Sequence, residues 1–117
     1  MRLLVNVVTG PENATRAALG LLVARTAAEE GHEVRVFLGG DGVHLARPET
    51  ADAVHGIGTG SLAEHWGALV ATGVQISLSG LSSKARGIDE GTRDGVELAP
   101  PNRFVELVDW SEKALVY

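Results

Sequence analysis

The feature that most restricts the fold is a nearly continuous aliphatic run close to the start of the chain. Residues 3–8 read LLVNVV, and the sequence TGP ends the run. A strand that is buried on both faces reads in this way, and such strands occur in parallel sheets that helices cover on each side. The sequence therefore predicts a buried first strand and, with it, an α/β fold.

Helix and strand patterns then alternate to the end of the chain. Apolar residues recur at helical spacing between Asn13, a suitable cap, and Gly31, a suitable end. Further strands are predicted at residues 34–38, 74–78, 95–99 and 114–117. Further helices are predicted at residues 61–73, 82–86 and from 101 or 102 onwards. This order predicts one domain over residues 1–117, a three-layer α/β/α sandwich with a mainly parallel sheet of about five strands.

Three segments carry more specific expectations. Ser61 and Glu64 form a capping box, in which the serine caps the helix and the glutamate reaches back. Residues 43–60 have weak periodicity and several glycines, so this segment is predicted to be irregular with a short helical turn. The inward positions predicted for the last helix are Phe104, Leu107, Val108 and Trp110.

The composition argues against several classes of function. The chain has no cysteine, which removes disulfides, zinc ribbons, thiol nucleophiles and persulfides carried by the chain itself. Its net charge is −5 and its cations are scattered, so no nucleic-acid partner is expected. No apolar stretch reaches the roughly 20 residues of a membrane span, and no signal-like segment opens the sequence. We therefore expect a cytoplasmic protein without membrane contact.

Three loops follow predicted strands and should meet at the carboxyl edge of the sheet, where ligands bind in folds of this kind. They are residues 9–13, 39–44 and 79–86, and each is rich in glycine or hydroxyl groups. The chain contains no GxxxxGK[ST], and GxGxxG does not follow the first strand. Neither class of nucleotide cofactor is therefore expected, and the sequence indicates no other cofactor.

The stretch LSGLSSKARG at residues 78–87 carries the clearest chemical signal. A helical turn that begins at Ser82 would point free amides at a ligand, and Ser79, Lys84 and Arg86 would add hydroxyl or cationic donors. Together these groups suit a small anion. The plainer alternative is that a serine only caps the turn, while the cations are solvated or pair with the acidic residues at 89 and 90.

The loop after the second strand supplies another set of candidates. Asp41 and His44 can be an acid–base pair or metal ligands, while Asp41 can also simply bond the backbone of its own turn. The histidines show no known ligand spacing, so no metal is expected. A serine hydrolase built on Ser79, His44 and Asp41 would need a GxSxG elbow, which the sequence lacks.

Taken in order, these motifs resemble a known family. GDGV after the second strand, SKARGI after the third and GVEL before the last helix are similar to the DsrE/DsrF-like family, over nearly the whole chain. The resemblance implies a small α/β protein that assembles as a trimer or a hexamer. The resemblance also implies where sulfur would be carried. In the best-known members, a cysteine in the loop after the third strand carries persulfide sulfur.

Serine stands at both positions where that resemblance would place a cysteine. By spacing to the Arg86-Gly87 pair, the sulfur-carrying residue of the family falls on Ser79, and a second cysteine of some members falls near Ser82. A hydroxyl has a pKa far above that of a thiol and forms no stable persulfide, so sulfur carriage is not expected here. The surroundings that favour an anion are expected to be retained.

These observations lead to one expected function and two alternatives. We expect a non-catalytic, oligomeric protein with a pocket for a small anion or a partner at the carboxyl edge of the sheet. The residues expected to form it are Asp41, Gly42, Ser79, Gly80, Ser82, Lys84 and Arg86. The alternatives are an enzyme that uses Asp41 and His44, and a structural subunit that completes a hetero-oligomer with a cysteine-bearing relative.

Overall fold

A five-stranded parallel sheet forms the centre of the computed structural model, which describes residues 1–88 and 96–117. The strands in chain order are β1 (Arg2–Val7), β2 (Glu33–Leu38), β3 (His55–Gly56), β4 (Gly60–Ser61), β5 (Gln75–Ser79), β6 (Val96–Ala99) and β7 (Lys113–Val116). The large sheet has the order β6-β5-β2-β1-β7, while β3 and β4 form a separate antiparallel hairpin. The predicted mainly parallel sheet is confirmed.

Helices connect the strands of the large sheet along the chain. They are α1 (Ala14–Glu29), α2 (Pro48–Ala53), α3 (Leu62–Ala71), α4 (Gly80–Ala85) and α5 (Pro101–Trp110), with 3₁₀ helices at Pro11–Asn13 and Gly40–Ala46. Asn13 caps α1 through a bond from the Arg16 amide, as its position predicted. Ser61 caps α3 by accepting a hydrogen bond from the Glu64 amide. Residues 89–95, which include Gly95 at the start of the predicted strand 95–99, lie outside the described residues.

The order of the strands explains why helices cover both faces of the sheet. From β1 the chain moves stepwise through β2 and β5 to β6, and then returns to place β7 on the other side of β1. Because parallel crossovers are right-handed, a connection that runs in the reverse direction must pass over the opposite face. Accordingly α1 and α3 pack on one face and α5 packs on the other, which gives the three layers.

The two faces bury cores of different size. The larger core joins the alternate strand residues Leu3, Val5 and Val7 to apolar residues of α1 and α3, including Leu21 and Trp66. The smaller core beneath α5 consists of Leu4, Phe37, Ala99, Leu107 and, at its border, Phe104. Since successive strand residues point to opposite faces, the unbroken aliphatic pattern of β1 supplies both cores at once.

The last helix follows the prediction at three of its four inward positions. Leu107 is buried, the Phe104 ring lies 4.8 Å from the Phe37 ring, and Trp110 is partly covered by the Arg35 guanidinium, 4.2 Å from the ring centre. Val108 was expected to face inward, but its side chain is 43% exposed. The reason is that α5 covers its face of the sheet alone, so only a narrow stripe of the helix meets the strands.

Residues 43–60 are more regular than predicted. The segment begins inside the 3₁₀ helix Gly40–Ala46, continues into α2, and ends in the hairpin of β3 and β4. Thr15 fixes the hairpin, because its hydroxyl accepts from the Ile57 amide and its carbonyl accepts from the Thr59 hydroxyl. These elements are too short to give a periodic signal, and contacts with α1 stabilise the hairpin. Among the described residues, no helix is both long and apolar enough to span a bilayer.

Candidate functional site

The parallel sheet brings the loops after β1, β2 and β5 to one edge, as the order of elements predicted. The second loop packs tightly on the end of β1, where the first loop begins. The Gly39 amide donates to the Val7 carbonyl at 3.1 Å. A Cβ atom on Gly42 would overlap the Val7 carbonyl oxygen and lie 3.0 Å from its carbon. Glycine at this position therefore allows the backbone of the 3₁₀ helix to lie directly on the end of β1.

Direct bonds join the second loop to the third. The Gly40 amide donates to the Ser82 hydroxyl at 3.0 Å, and Arg86 Nε lies 3.1 Å from Asp41 Oδ1. Arg86 Nη1 also donates to the Ser82 carbonyl at 3.2 Å. Three of the residues expected from the sequence, Asp41, Ser82 and Arg86, thus form one connected cluster at the carboxyl edge.

Ser79 lies at the junction of β5 and α4 and has a defined structural role. Its hydroxyl accepts a hydrogen bond from the Ser82 amide at 3.2 Å, which makes Ser79 the cap of α4. The helix was predicted to begin at Ser82, but it begins two residues earlier, at Gly80. The prediction was wrong because Ser79 is both the last residue of the strand and the helix cap, which leaves no loop between them. The Ser82 amide is consequently not free for a ligand.

Lys84 and Gly80 lie apart from the cluster. A helix advances about 100° per residue, so Lys84 lies on a different face of α4 from Ser82 and Arg86. Lys84 is exposed and makes no ion pair within residues 1–88 and 96–117, and its predicted acidic neighbours at 89 and 90 lie outside the described residues. Gly80 faces the end of β6, where an added Cβ would lie 3.4 Å from the Ala99 carbonyl oxygen.

Asp41 and His44 share the 3₁₀ helix, but the structure gives them different surroundings. The carboxylate of Asp41 is engaged with Arg86, while the partly buried His44 is three residues further along. In the described part of the chain, no hydrogen bond joins the two side chains. Across the same residues, no three His, Asp or Glu side chains converge in a way that would hold a metal ion.

Two further polar residues lie at this edge, namely Arg47, which was not singled out from the sequence, and Ser83. Arg47 Nη2 donates to the Gly87 carbonyl at 2.6 Å, which ties the end of the 3₁₀ helix to the end of α4. Ser83 is fully buried, and neither its hydroxyl nor Arg47 Nε has a partner among the described residues. The Arg47 contact joins residues that are 40 positions apart in the sequence, and no local pattern predicts such a contact.

The fold and this edge define a cysteine-free, three-layer α/β protein with a polar cluster where two strand-end loops meet. The chain belongs to the DsrE/DsrF-like family, whose model matches residues 1–117. This confirms the resemblance stated from the motifs.

Individual proteins are similar to this chain in sequence or in fold. The chain is 33% identical to an uncharacterized protein of Methanopyrus kandleri over 109 residues, which are 92% of this chain and 86% of the relative. Its fold is similar to the crystal structure of the ychN protein of Escherichia coli, with a TM-score of 0.84, 21% identity and full coverage of both chains. It is also similar to a conserved protein of unknown function from Bacteroides thetaiotaomicron, with a TM-score of 0.72, 15% identity and coverage of 99% and 94%.

Proposed function

We propose that this chain is a binding member of the DsrE/DsrF-like family, which carries no sulfur itself and takes a small anion at the carboxyl edge of its sheet. The observation that supports this function is the cluster of Asp41, Ser82 and Arg86 beside Ser79. Ser79 is the position at which the family resemblance places the sulfur-carrying cysteine. The surroundings of that position are thus polar and ordered, while the residue itself lacks the reactive atom.

The absence of a thiol determines what the edge can do chemically. The Ser79 hydroxyl has a pKa far above neutrality and already accepts the Ser82 amide, so it is a cap and not a nucleophile. A persulfide needs a sulfur atom on the carrier, and the chain has no cysteine. Recognition of an anion, without covalent chemistry, is the function that we propose this edge has kept.

The charges around this cluster predict that a small anion binds weakly. Arg86 is shared with Asp41, so an incoming anion must compete with a carboxylate for the guanidinium. Lys84 is exposed and provides a second cation at the rim. Exposed interactions of this kind contribute about 0.3–1 kcal/mol each, so about three of them sum to roughly 1–3 kcal/mol, which corresponds to dissociation constants of roughly 6–200 mM. Added salt should weaken the binding further, because both cations are accessible to solvent.

Titration with inorganic sulfate and phosphate tests the anion site. Amide chemical shifts of residues 79–86 should move on titration, and the double variant Lys84→Ala with Arg86→Ala should reduce the affinity at least several-fold. Lys113→Ala is the matched control. Lys113 is an exposed lysine at the start of β7, so it lies away from the carboxyl edge that carries the candidate site. Equal affinities of the double variant and the control would contradict the proposal.

Incubation with a persulfide donor tests the absence of sulfur carriage. The mass of the wild-type chain should not change, whereas Ser79→Cys should gain one sulfur atom if the family position has been placed correctly. Ser111→Cys, at a partly exposed position after α5, controls for non-specific modification of any introduced thiol. A stable gain of sulfur by the wild-type chain would contradict the proposed function.

A homo-oligomer is the assembly that we propose for this protein, as a trimer or hexamer. Large apolar side chains at the surface support it, since Leu81 is 66% exposed, Val105 65% and Ile57 89%. Light scattering should return three or six times the chain mass of 12.2 kDa. An obligate monomer that associates only with a cysteine-bearing relative would instead favour the structural-subunit alternative. A cytoplasmic location stays a prediction from the sequence.

A further inference from the structure

Strand β7 is an edge of the sheet that lacks the usual protection against pairing. It pairs with β1 on one side, and within residues 1–88 and 96–117 no strand pairs with its other side. Natural edge strands are commonly blocked by proline, bulges or inward-pointing charges. Here the strand reads KALV, with a single charge at its first residue and no proline. All four side chains are exposed.

The backbone bonds to β1 show which groups of β7 point outward. Tyr117 donates its amide to the Asn6 carbonyl at 2.9 Å and accepts from the Val8 amide at 2.8 Å, so both of its backbone groups face β1. Because orientation alternates along a strand, the backbone groups of Lys113 and Leu115 also face β1. Those of Ala114 and Val116 point away from the sheet and can pair with another strand.

Both faces of this edge are apolar. Leu115 lies over an open groove of about 480 Å³ between β7 and α1, whose apolar lining includes Leu3, Leu22 and Val23. Val116 is 65% exposed on the opposite face, the face that α5 covers in part. A strand that paired with β7 would thus continue an apolar surface above and below the sheet.

We infer that β7 pairs with β7 of a second copy of this chain, antiparallel and about a two-fold axis at Leu115. In this register Ala114 faces the partner's Val116, and the reciprocal pair forms by symmetry. Each of these two pairs exchanges two backbone hydrogen bonds, so four new bonds satisfy every outward group of the strand. Leu115 then lies opposite the partner's Leu115, and the two sheets become one sheet of ten strands. The contact is isologous and therefore closes at two copies.

Other symmetric registers fit the same residues less well. A two-fold axis at Ala114 would pair Val116 with Glu112, whose amide already donates to the Arg2 carbonyl at 2.8 Å. An axis at Lys113 would place two lysines directly opposite each other, which is destabilising. The register centred on Leu115 instead places Lys113 opposite Tyr117. Of the three registers, this one pairs the outward backbone groups of both Ala114 and Val116 and places no like charges opposite each other.

Single cysteines test the register directly, because the natural chain has none. Non-hydrogen-bonded antiparallel pairs have Cα atoms about 4.5 Å apart, within the range that a disulfide spans. Leu115→Cys should therefore form a disulfide-linked dimer under mild oxidation. Ala114→Cys and Val116→Cys are the matched controls, because their symmetric copies would be roughly 7–8 Å apart and should not cross-link. Cross-linking of either control in preference to Leu115→Cys would overturn the register.

A strand-blocking variant tests the contact without introducing a thiol. In Val116→Pro the lost amide is one that points away from β1, so the sheet of the single chain should keep its ladder. Light scattering should then show half the particle mass of the wild type, while Val70→Ser, at an exposed apolar position on α3, should keep the wild-type mass. The contact is independent of the anion site. It is compatible with a dimer or with a hexamer of two trimers, and a wild-type monomer or isolated trimer would refute it.

Discussion

Replacing Gly42 by alanine is the sharpest test of how the loop after β2 is built. The added methyl group would overlap the carbonyl oxygen of Val7, which belongs to the backbone of β1 in the middle of the sheet. That carbonyl cannot move away freely, since it also accepts the Gly39 amide at 3.1 Å. The substitution must therefore displace the 3₁₀ helix that carries Asp41, and with it the contact to Arg86.

The expected cost follows from these contacts. Overpacking by one methyl group costs about 1–3 kcal/mol, and loss of the bond from Gly39 to Val7 adds roughly 1 kcal/mol. Alanine has less conformational freedom than glycine in the unfolded chain, which offsets about 0.4–1 kcal/mol of this loss of stability. We expect a net loss of about 1–3.5 kcal/mol in the free energy of unfolding, or a decrease in Tm of roughly 5–15 °C for a domain of this size.

Gly67→Ala is the matched control for this measurement. Gly67 is exposed within α3, and an added Cβ would have no neighbour within 4 Å. The same chemical change should there stabilise the protein by about 0.5–1 kcal/mol, because alanine favours helices. Urea unfolding of both variants at equal protein concentration measures the two effects. Equal stability of Gly42→Ala and the wild type would refute the close packing of this loop on β1.

Three further predictions concern individual side chains. Ser79→Ala should cost about 1 kcal/mol through loss of the α4 cap. Ser83→Ala removes a buried hydroxyl that has no partner within residues 1–88 and 96–117, so it should be neutral or stabilising by up to about 1 kcal/mol in the same urea assay. The reverse order would contradict the assigned cap. Asp41→Asn should change the free energy of unfolding by less than about 1 kcal/mol, since the ion pair with Arg86 is exposed, and a larger loss would mean that the pair organises the edge. The hydrogen bond from the Arg2 amide lowers the pKa of Glu112 below its ordinary value of 4.5, so its stabilising contribution is complete above that pH and is lost as the pH falls below it. Unfolding curves of Glu112→Gln should lack this part of the acid dependence, and identical acid dependence in both proteins would contradict it.

The sheet and its helices could be predicted because their signals are local. The aliphatic run of β1, the cap at Asn13 and the cap at Ser61 depend on neighbours within a few residues, and the structure confirms each of them. Val108 and the start of α4 were predicted incorrectly for the opposite reason. How much of α5 the sheet covers, and whether Ser79 ends a strand or caps a helix, depends on residues that are distant in the sequence.

The candidate site shows the same distinction between local signals and long-range contacts. Its residue types, its glycines and its place at the ends of strands can be recognised in the sequence, because parallel strands must end at a common edge. Which side chains meet there depends on packing between loops roughly 40 residues apart. Folding pairs Arg86 with Asp41 and Ser82 with Gly40, while helical geometry turns Lys84 to another face. The unprotected edge of β7 likewise becomes visible only once the return of the chain past β1 places this strand at the border of the sheet.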